Sequence, residues 1–302
     1  MGSAGSARVK VWVRATAADL PIRLDRFVLR NFEQMPTRAF ARKAIKRGEV
    51  SLNGELVESG RFLKVGDEVE LLASRRTPQR YPMDLDVLFE DDHMAVVDKP
   101  AGIETSGAKL RVLEHGLLGN LVPSPRIDAL PQPRVAHRLD YQTQGLVLCG
   151  KTASAHARLG RSFQAREVFK RYRAILGGRL EGEGQVDTPL DGRSAVTRWR
   201  ATEHTRSLHI GWQTSVDLWP ETGRTHQLRR HMASLGHPIL GDTLYTEHKL
   251  LRGQGLFLCA IALRFPHPAT GEEMSIERDE PHRFVSFRLR ETRRWSAFQQ
   301  PA

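Results

Sequence analysis

The spacing of apolar residues predicts two helices near the start of the chain. In the first helix they recur three or four positions apart: Leu24, Phe27, Val28 and Phe32. The second is predicted over Arg38–Lys46, with Thr37 as its N-cap and Gly48 as its stop. Two strands and a turn complete a compact unit: Glu49–Leu52, the turn Asn53-Gly54, and a strand after Gly66-Asp67.

After residue 85 the pattern changes to short strands separated by occasional helices. Strands are predicted at Val87–Glu90, Met94–Asp98, Tyr172–Leu176, Val196–Ala201 and Leu208–Leu218. Helices are predicted at Ala153–Phe163 and between Thr225, as the cap, and Gly236. The segment 107–136 is rich in proline and glycine and has no clear pattern. This order favours an α+β domain with a mixed sheet over regular βαβ winding.

These patterns divide the chain into five segments. Ser74–Asp84 is polar and rich in proline and arginine, which is typical of a linker. We therefore predict a disordered or extended tail, a small domain, this linker, a large domain and a C-terminal tail, at residues 1–18, 19–73, 74–84, 85–290 and 291–302.

The chain is strongly basic, which changes the expected class of partner. Its 302 residues include 46 Lys+Arg against 35 Asp+Glu, a formal net charge of +11. Such a charge favours nucleic acid, because neutralised phosphates release counterions; the alternative is a charged surface without a polyanion. The second helix concentrates basic residues with few acids nearby, which favours RNA contact over a solvated face: Arg38, Arg42, Lys43, Lys46 and Arg47.

Two cysteines and the absence of long apolar runs limit the cellular location. Cys149 and Cys259 lie in apolar, strand-like runs and are too few for a disulfide framework, so we expect buried, reduced thiols. No stretch approaches the ~20 apolar residues that cross a bilayer, and the start of the chain lacks the pattern of a signal peptide. We expect a cytoplasmic protein.

One segment carries the strongest chemical signal: HRLDYQTQG, His137–Gly145. It places Asp140 shortly before the apolar run Leu146–Cys149. This arrangement is typical of a catalytic carboxylate in a loop at the edge of a sheet, where functional residues concentrate. With the basic composition, it indicates an enzyme that acts on RNA.

The small unit resembles a known RNA-binding domain. The resemblance lies in RLDRF (Arg23–Phe27), TRAFARKAIKRGEVSLNGE (Thr37–Glu55) and KVGDEVEL (Lys64–Leu71). These segments are similar to the domain named after ribosomal protein S-four. The resemblance implies a small α+β fold whose two helices face RNA, in agreement with the charge pattern.

Four blocks of the larger domain resemble the RluA-type pseudouridine synthases, from about Asp86 to Phe287. They are VVDKPAGI (Val96–Ile103), HRLDYQTQG (His137–Gly145), KRYRAILGG (Lys170–Gly178) and ETGRTHQLRRHMASLGHPILGDTLY (Glu221–Tyr245). The resemblance implies a mixed, largely antiparallel central sheet with flanking helices. It also implies isomerisation of uridine to pseudouridine in RNA, which involves no redox change and therefore requires no cofactor.

The resemblance assigns roles to individual residues. Asp140 is the catalytic carboxylate, either as a nucleophile at the anomeric carbon or as a base toward the ribose. Arg224 pairs with it, which suits a guanidinium that is always charged. Tyr172 packs on uracil and could help to remove the carbon 5 proton, and Leu228 lines the base pocket.

Three further residues of the HRLD block are predicted to contact substrate. Arg138 could fill the space vacated by an extruded base or hold a phosphate, although it could also anchor its own loop. His137 and Thr143 belong to the same block, and His137, like His226, also suits a structural hydrogen bond. Gln144 departs from the serine usual in the family, which could alter loop hydrogen bonds or the preferred neighbouring nucleotides.

Other chemistries fit the residues less well. His226 and His231 lie five positions apart, about 140° around a helix, and neither they nor His237 are completed by cysteine or carboxylate, so we predict no metal. Asp98 and Asp242 could form the carboxylate pair of a glycoside hydrolase, but both lie in turn-like blocks. Lys99-Pro100 likewise indicates a tight turn rather than a catalytic lysine.

The sequence thus predicts an RNA pseudouridine synthase that needs neither metal nor cofactor and acts as a monomer. Ribosomal RNA, of the large subunit above all, is the favoured substrate, and transfer RNA is the alternative. Two other classes stay open: a catalytically silent RNA-binding or ribosome assembly factor, and an N-glycosidase that frees uracil.

Overall fold

The computed structural model describes residues 11–32, 35, 38–72, 78–246 and 253–299. They form a small and a large unit, each with its own β-sheet and its own hydrophobic core. The predicted helix cap Thr37 lies outside these ranges, as do the first ten residues, the first part of the predicted linker and residues 300–302.

The small unit contains both predicted helices and a three-stranded antiparallel sheet of order β1-β3-β2. Its elements are β1 (Val11–Arg14), α1 (Leu24–Asn31), α2 (Arg38–Lys46), β2 (Val50–Leu52) and β3 (Glu68–Leu71). The apolar spacing predicted for α1 is confirmed, because Phe27 and Val28 are fully buried in the core with Ile45 of α2. Since β1 pairs with β3, the unit starts by residue 11 and not at residue 19.

The large unit is built around a ten-stranded sheet. Its strands are β4 (Val87–Glu90), β5 (Met94–Lys99), β6 (Ala129–Val135), β7 (Gln144–Thr152), β8 (Phe169–Gly177), β9 (Glu183–Val186), β10 (Thr197–Ser207), β11 (Gly211–Pro220), β12 (Leu258–Pro266) and β13 (Glu273–Glu277). Its helices are α3 (Leu113–Asn120), α4 (Ala153–Gln164), α5 (Gln227–Ser234) and α6 (His282–Gln299).

The sheet is mixed and largely antiparallel, as predicted. The strand order is β4-β5-β7-β12-β8-β11-β10-β9, with β6 beside β7 and β13 beside β12. Among the described strands, every pairing is antiparallel except that of β7 with β12. This parallel contact joins the two halves of the sheet. Strand β7 follows the HRLD loop, and β12 lies beside β8, which carries Tyr172.

The central strands bury both of their faces, which explains their unbroken apolar sequence. On one face Val96 and Leu148 belong to the same cluster as Leu159 of α4. On the other face Val97 and Cys149 belong to a larger cluster that includes helices α3, α5 and α6. Both cysteines are free and buried, as predicted.

Several predicted boundaries were wrong for local reasons. The tail predicted from residue 291 is helical as far as Gln299, and its Glu291 is buried and accepts a 2.6 Å hydrogen bond from Ser207. Segment 107–136 contains α3 and β6. The large unit already begins near residue 79, since Gln79 and Tyr81 bond to its backbone and side chains. Strand β11 starts at Gly211, after the hairpin turn.

Candidate active site

A pocket of about 540 Å³ opens where the HRLD loop, β8 and the start of α5 meet. Its volume lies within the range of ligand-binding pockets, ~300–1,000 Å³. All seven residues predicted for catalysis or substrate binding line it: His137, Arg138, Asp140, Thr143, Tyr172, Arg224 and Leu228. The structure therefore brings together residues that are separated by up to 91 positions of sequence, from His137 to Leu228.

The HRLD loop has no regular structure, and hydrogen bonds from another loop hold it in place. The hydroxyl of Thr105 donates to the carbonyl of Leu139 (2.8 Å) and accepts from its amide (3.0 Å). Next to Asp140, the carbonyl of Tyr141 accepts from the amide of Gly102 at 2.8 Å. These bonds fix the backbone on both sides of Asp140, which lies partly exposed at the pocket.

His137 is held as a neutral structural side chain. Its Nε2 accepts a 3.0 Å hydrogen bond from the amide of Leu148, and its ring packs on Phe163 with centroids 4.7 Å apart. Burial, together with the nearby charge of Lys170, lowers the pKa of His137 to about 3. An imidazole that stays neutral and already accepts a backbone bond is suited to anchoring the loop rather than to proton transfer.

The predicted ion pair between Asp140 and Arg224 is not formed between these two described residues. The Nε of Arg224 instead donates to the carbonyl of Ser194 at 3.0 Å. Its loop is fixed by Gln227, whose Oε1 accepts from the Arg224 amide (3.0 Å) and from the Thr222 hydroxyl (2.7 Å). Arg224 lines the same pocket wall, but its guanidinium is directed to another partner.

A cation that the sequence pattern did not indicate lies close to Asp140. Arg229 is 3% exposed and forms a bidentate ion pair with Asp242, at 2.7 and 2.8 Å. Burial lowers the pKa of Arg229, while its partner Asp242 and, further away, Asp140 raise it, with a net upward shift. The pairing with Arg229 gives Asp242 a structural role and joins α5 to the turn that follows it.

Tyr172 and Leu228 cover the apolar wall of the pocket. Tyr172 is 8% exposed and Leu228 is 7% exposed, and both belong to the main hydrophobic cluster. Burial, and then the charge of Asp140, raise the pKa of Tyr172, so its phenol stays protonated at neutral pH. The arrangement offers a flat ring beside a carboxylate, which suits the binding of a planar base next to Asp140.

Gln144, which stands where the family usually has serine, lies outside this pocket. Its side chain lines a separate cavity of about 490 Å³, together with Asp84, Asp86 and Asp98. Asp98 is ion-paired with Arg278, which confirms that it has a structural role rather than that of a glycosidase acid. Gln144 therefore lines a wall that the predicted uridine pocket does not share.

Comparison with known proteins matches both units. Residues 93–234 fit the model of the RNA pseudouridylate synthase family, and residues 22–69 fit the S4 domain. A ribosomal large subunit pseudouridine synthase D of Vibrio parahaemolyticus is 33% identical, with 87% of this chain and 89% of the relative covered. An RNA pseudouridine synthase of Aquifex aeolicus is 32% identical, with 87% and 92% covered.

The chain belongs to the RNA pseudouridylate synthase family. The solved structure of human RNA pseudouridylate synthase domain containing 1 has the same fold, with a TM-score of 0.55 and 26% identity over 66% of this chain and 84% of that one. As a pseudouridine synthase the protein is an isomerase that converts uridine to pseudouridine in RNA, and the S4 domain gives it a second RNA-binding unit.

The basic helix of this S4 domain is less free than its sequence suggested. Arg38 and Arg42 both reach Asp25, which is fully buried on α1, at 2.9 and 3.5 Å. Arg47 forms a two-point ion pair with Glu49. The prediction that few acids offset these charges was wrong, because the acids lie on neighbouring elements. The guanidinium groups of Arg38 and Arg42 stay partly exposed, and Lys43 and Lys46 are exposed.

We expect the exposed lysines to carry RNA affinity. Changing Lys43 and Lys46 together to alanine should weaken RNA binding and lower the slope of log K against log salt by up to about 1.5, because each single-strand phosphate contact contributes roughly 0.7. Binding measured between low and moderate salt tests this. Lys64→Ala, an exposed lysine elsewhere in the unit, is the control and should leave the slope unchanged. Equal slopes in both variants would remove α2 from the RNA surface.

Lys99 supplies a buried positive charge beneath the HRLD loop. It is 0% exposed, and its Nζ donates to the carbonyl of Pro100 at 2.9 Å and to that of Tyr141 at 3.5 Å. Burial lowers its pKa to about 8, against the opposing attraction of Asp140 and Asp98. At neutral pH it therefore stays protonated and ties the chain around Tyr141 to the end of β5.

This buried lysine should make stability rise with pH. Between the lowered pKa of Lys99, about 8, and its ordinary value of 10.5, the unfolded chain binds more protons than the folded one. The free energy of unfolding should therefore increase over that window by about 3 kcal/mol relative to Lys99→Met, at about 1.4 kcal/mol per pKa unit. Urea denaturation of both proteins from pH 7 to pH 10.5 measures the difference. Parallel curves would contradict the shift.

Histidines that could suggest a metal are bound to protein groups. The ring of His231 forms hydrogen bonds with the hydroxyl of Thr197 and the carbonyl of Thr188. His226 forms one with the hydroxyl of Tyr245, and His237 forms one with the carbonyl of Gly177. Within the described ranges no cluster of three or more histidine, cysteine or acidic residues is arranged to hold a metal ion. Over the same ranges, no helix has the length and apolar character needed to span a membrane.

Proposed function

We propose that this pseudouridine synthase modifies uridines of large-subunit ribosomal RNA, with Asp140 as its catalytic carboxylate. The observation that carries the proposal is the pocket in which Asp140 lies beside the ring of Tyr172 and the apolar side chain of Leu228. The choice of ribosomal RNA is supported by relatives that are named ribosomal large subunit pseudouridine synthase D and match 87% of this chain or more.

The reaction rearranges bonds without any change in composition. The bond between N1 of uracil and C1′ of the ribose breaks, the base turns, and carbon 5 bonds to C1′. The proton of carbon 5 is lost to solvent, and N1 gains a proton. Asp140 either attacks C1′ or takes a proton from the ribose, and both routes need it ionised at neutral pH.

Two buried cations lie near Asp140. Lys99 and Arg229 lie within electrostatic range of the carboxylate, and both are buried and protonated at neutral pH. We propose that these two residues supply the stabilising charge in the free protein. Arg224 lines the same pocket and is placed to join them once RNA displaces its bond to Ser194.

Three side chains have proposed contacts with the extruded nucleotide. Tyr172 packs on the uracil ring, and the hydroxyl of Thr143, buried and without a partner among the described residues, bonds to the nucleotide as it enters. Arg138 is exposed at the rim of the pocket, where it occupies the gap left by the base in its helix. His137 contributes by anchoring the loop.

Two measurements test the proposal. Release of tritium from carbon 5 of labelled uridine RNA reports turnover, and mapping pseudouridines in a deletion strain against its parent identifies the RNA. Loss of sites confined to large-subunit ribosomal RNA is the expected result. Pseudouridines lost from transfer RNA would make transfer RNA the substrate. If no pseudouridine is lost, a catalytically silent assembly factor is favoured. An RNA mass that falls by that of uracil less one water would favour an N-glycosidase, because hydrolysis adds water at C1′ whereas isomerisation leaves the mass unchanged.

We further propose that one chain in the cytoplasm is sufficient for the reaction. The pocket is lined by residues of the large unit, from the HRLD loop, β8 and the start of α5 among others. Both cysteines are free and buried, which suits a reducing compartment. Size measured by light scattering, with turnover at the same concentration, tests the monomer.

A further inference from the structure

Two cations in the active-site pocket have no acidic partner. Arg166 follows α4, Lys170 lies on β8, and both line the same pocket as Asp140. Over the described part of the chain neither side chain forms an ion pair. The nearest acid in sequence, Glu167, is bound instead by the hydroxyl of Ser162 at 2.8 Å. The two charges therefore face the pocket without compensation from the protein.

Lys170 is oriented toward the substrate by its strand. It lies two residues before Tyr172 on β8, and residues two apart on a strand point to the same face. Lys170 is partly buried, and burial together with the charge of Arg166 lowers its pKa. The two cations thus repel each other, and an anion bound between them would relieve this repulsion.

Arg166 occupies a backbone position that is costly for its side chain. Helix α4 ends in a Schellman motif: the amide of Glu167 donates to Ser162 O at 2.9 Å, and that of Arg166 to Phe163 O at 3.3 Å. Arg166 is the left-handed residue of this motif, with φ of 59°. Glycine or asparagine is usual there, because the left-handed region strains most other residues. An arginine at such a position, lining the active site, indicates a functional reason for its side chain.

We propose that Arg166 and Lys170 form a clamp for one backbone phosphate of the nucleotide that enters the pocket. The inference rests on the proposed function, since it takes the entering group to be an RNA nucleotide. A guanidinium and an ammonium that converge on one cavity match a phosphate diester, which carries a single charge and exposed oxygens. The clamp fixes the sugar relative to Asp140, so it contributes to positioning and not to bond breaking.

Removing either cation should slow turnover of RNA. Arg166→Ala and Lys170→Met should each lower kcat/KM for RNA about 10- to 100-fold, the effect of one lost hydrogen bond to a charged group. Each should also lower the salt slope of binding by roughly 0.7. Arg179→Ala is the charge-matched control, because Arg179 is exposed beyond the far end of β8 and pairs with Glu181. It should leave both quantities unchanged.

A neutral linkage in the RNA identifies the phosphate. RNA oligonucleotides that carry one methylphosphonate, on the 5′ or the 3′ side of the target uridine, remove a single backbone charge. At one of these positions the modified RNA should lower kcat/KM of the wild-type protein as much as the substitutions lower it for unmodified RNA. For Arg166→Ala, the same modification should lower kcat/KM by no more than about 2-fold further. If the losses caused by the methylphosphonate and by Arg166→Ala multiply at both positions, the clamp is ruled out.

Arg166→Gly separates this role from a structural one. Glycine relieves the left-handed strain, so the melting temperature should stay the same or rise, while kcat/KM should fall as it does in Arg166→Ala. A structural arginine would give the opposite pattern, with lower stability and unchanged kinetics. If the wild-type protein releases no tritium from any uridine RNA, the proposed function fails; if it is active and the Arg166 and Lys170 variants match it, only the clamp fails.

Discussion

Asp140→Asn should abolish pseudouridine formation while RNA binding is retained. Tritium release from uridine RNA should fall by at least about 10⁴-fold, the scale on which loss of a catalytic nucleophile acts in other enzymes. The amide has nearly the same shape as the carboxylate, but it can neither attack C1′ nor accept a proton at neutral pH. Since Asp140 lies at a pocket wall and takes no part in the hydrophobic clusters, the fold should be unaffected.

Controls for this substitution separate chemistry from binding and folding. The dissociation constant for RNA should change less than about 3-fold, because the positive groups of the pocket and of the S4 domain stay in place. Gln144→Ser, at the start of β7 and outside the pocket, should retain turnover. Turnover by Asp140→Asn within about 10-fold of the wild-type protein would mean that a group other than Asp140 is the catalytic one.

The sequence was sufficient to single out the HRLD loop as a candidate site because its signal is contiguous. HRLD sits in one segment, and the apolar run after it marks the strand that carries it. Strand and helix boundaries in this region agree with the structure; α4, for example, was predicted over Ala153–Phe163 and ends at Gln164. Local patterns decide such elements, so one sequence carries enough information for them.

Contacts between distant residues could not be read in the same way. Thr105 holds Leu139 across 34 positions, and Arg229 reaches Asp242 through the turn after α5, yet neither side chain stands out by type or spacing. The Asp140–Arg224 pair was inferred from the resemblance, and in the free protein Arg224 has the nearer carbonyl of Ser194 as its partner. Such choices depend on three-dimensional distance, which sequence spacing does not give.

The predicted C-terminal tail shows the same limit for a whole element. Residues 291–302 were predicted as a tail, whereas α6 continues as far as Gln299. The contacts that hold the helix there are distant in sequence: buried Glu291 accepts a hydrogen bond from the hydroxyl of Ser207 at the end of β10. Arg288 in turn pairs with Glu280 and Glu203. The sequence of the segment alone does not show these partners.

Gly145→Ala should destabilise the protein by at least about 4 kcal/mol, a cost known only for severe steric or polar defects. Gly145 has φ of 119°, and a Cβ there would lie 2.2 Å from the carbonyl oxygen of Ala260. Both the backbone conformation and the space exclude a side chain, and the obstructing atom is backbone, which cannot rotate away. Urea denaturation measures the loss, and Gly160→Ala is the control. Gly160 lies within α4 with nothing close to its added methyl group, so alanine should stabilise the helix by up to about 1 kcal/mol.

The same substitution should reduce activity in the molecules that still fold. Gly145 pairs with Ala260 in the parallel contact of β7 with β12, which joins the half of the sheet behind Asp140 to the half that carries Tyr172. A methyl group that separates these strands displaces the carboxylate from the ring, and a shift of about 1 Å in a catalytic group can cost roughly 100-fold in rate. Activity per folded molecule, obtained by titrating RNA-binding sites, should therefore fall well below that of Gly160→Ala. Full specific activity with lowered stability would mean that the two halves are positioned by contacts other than this one.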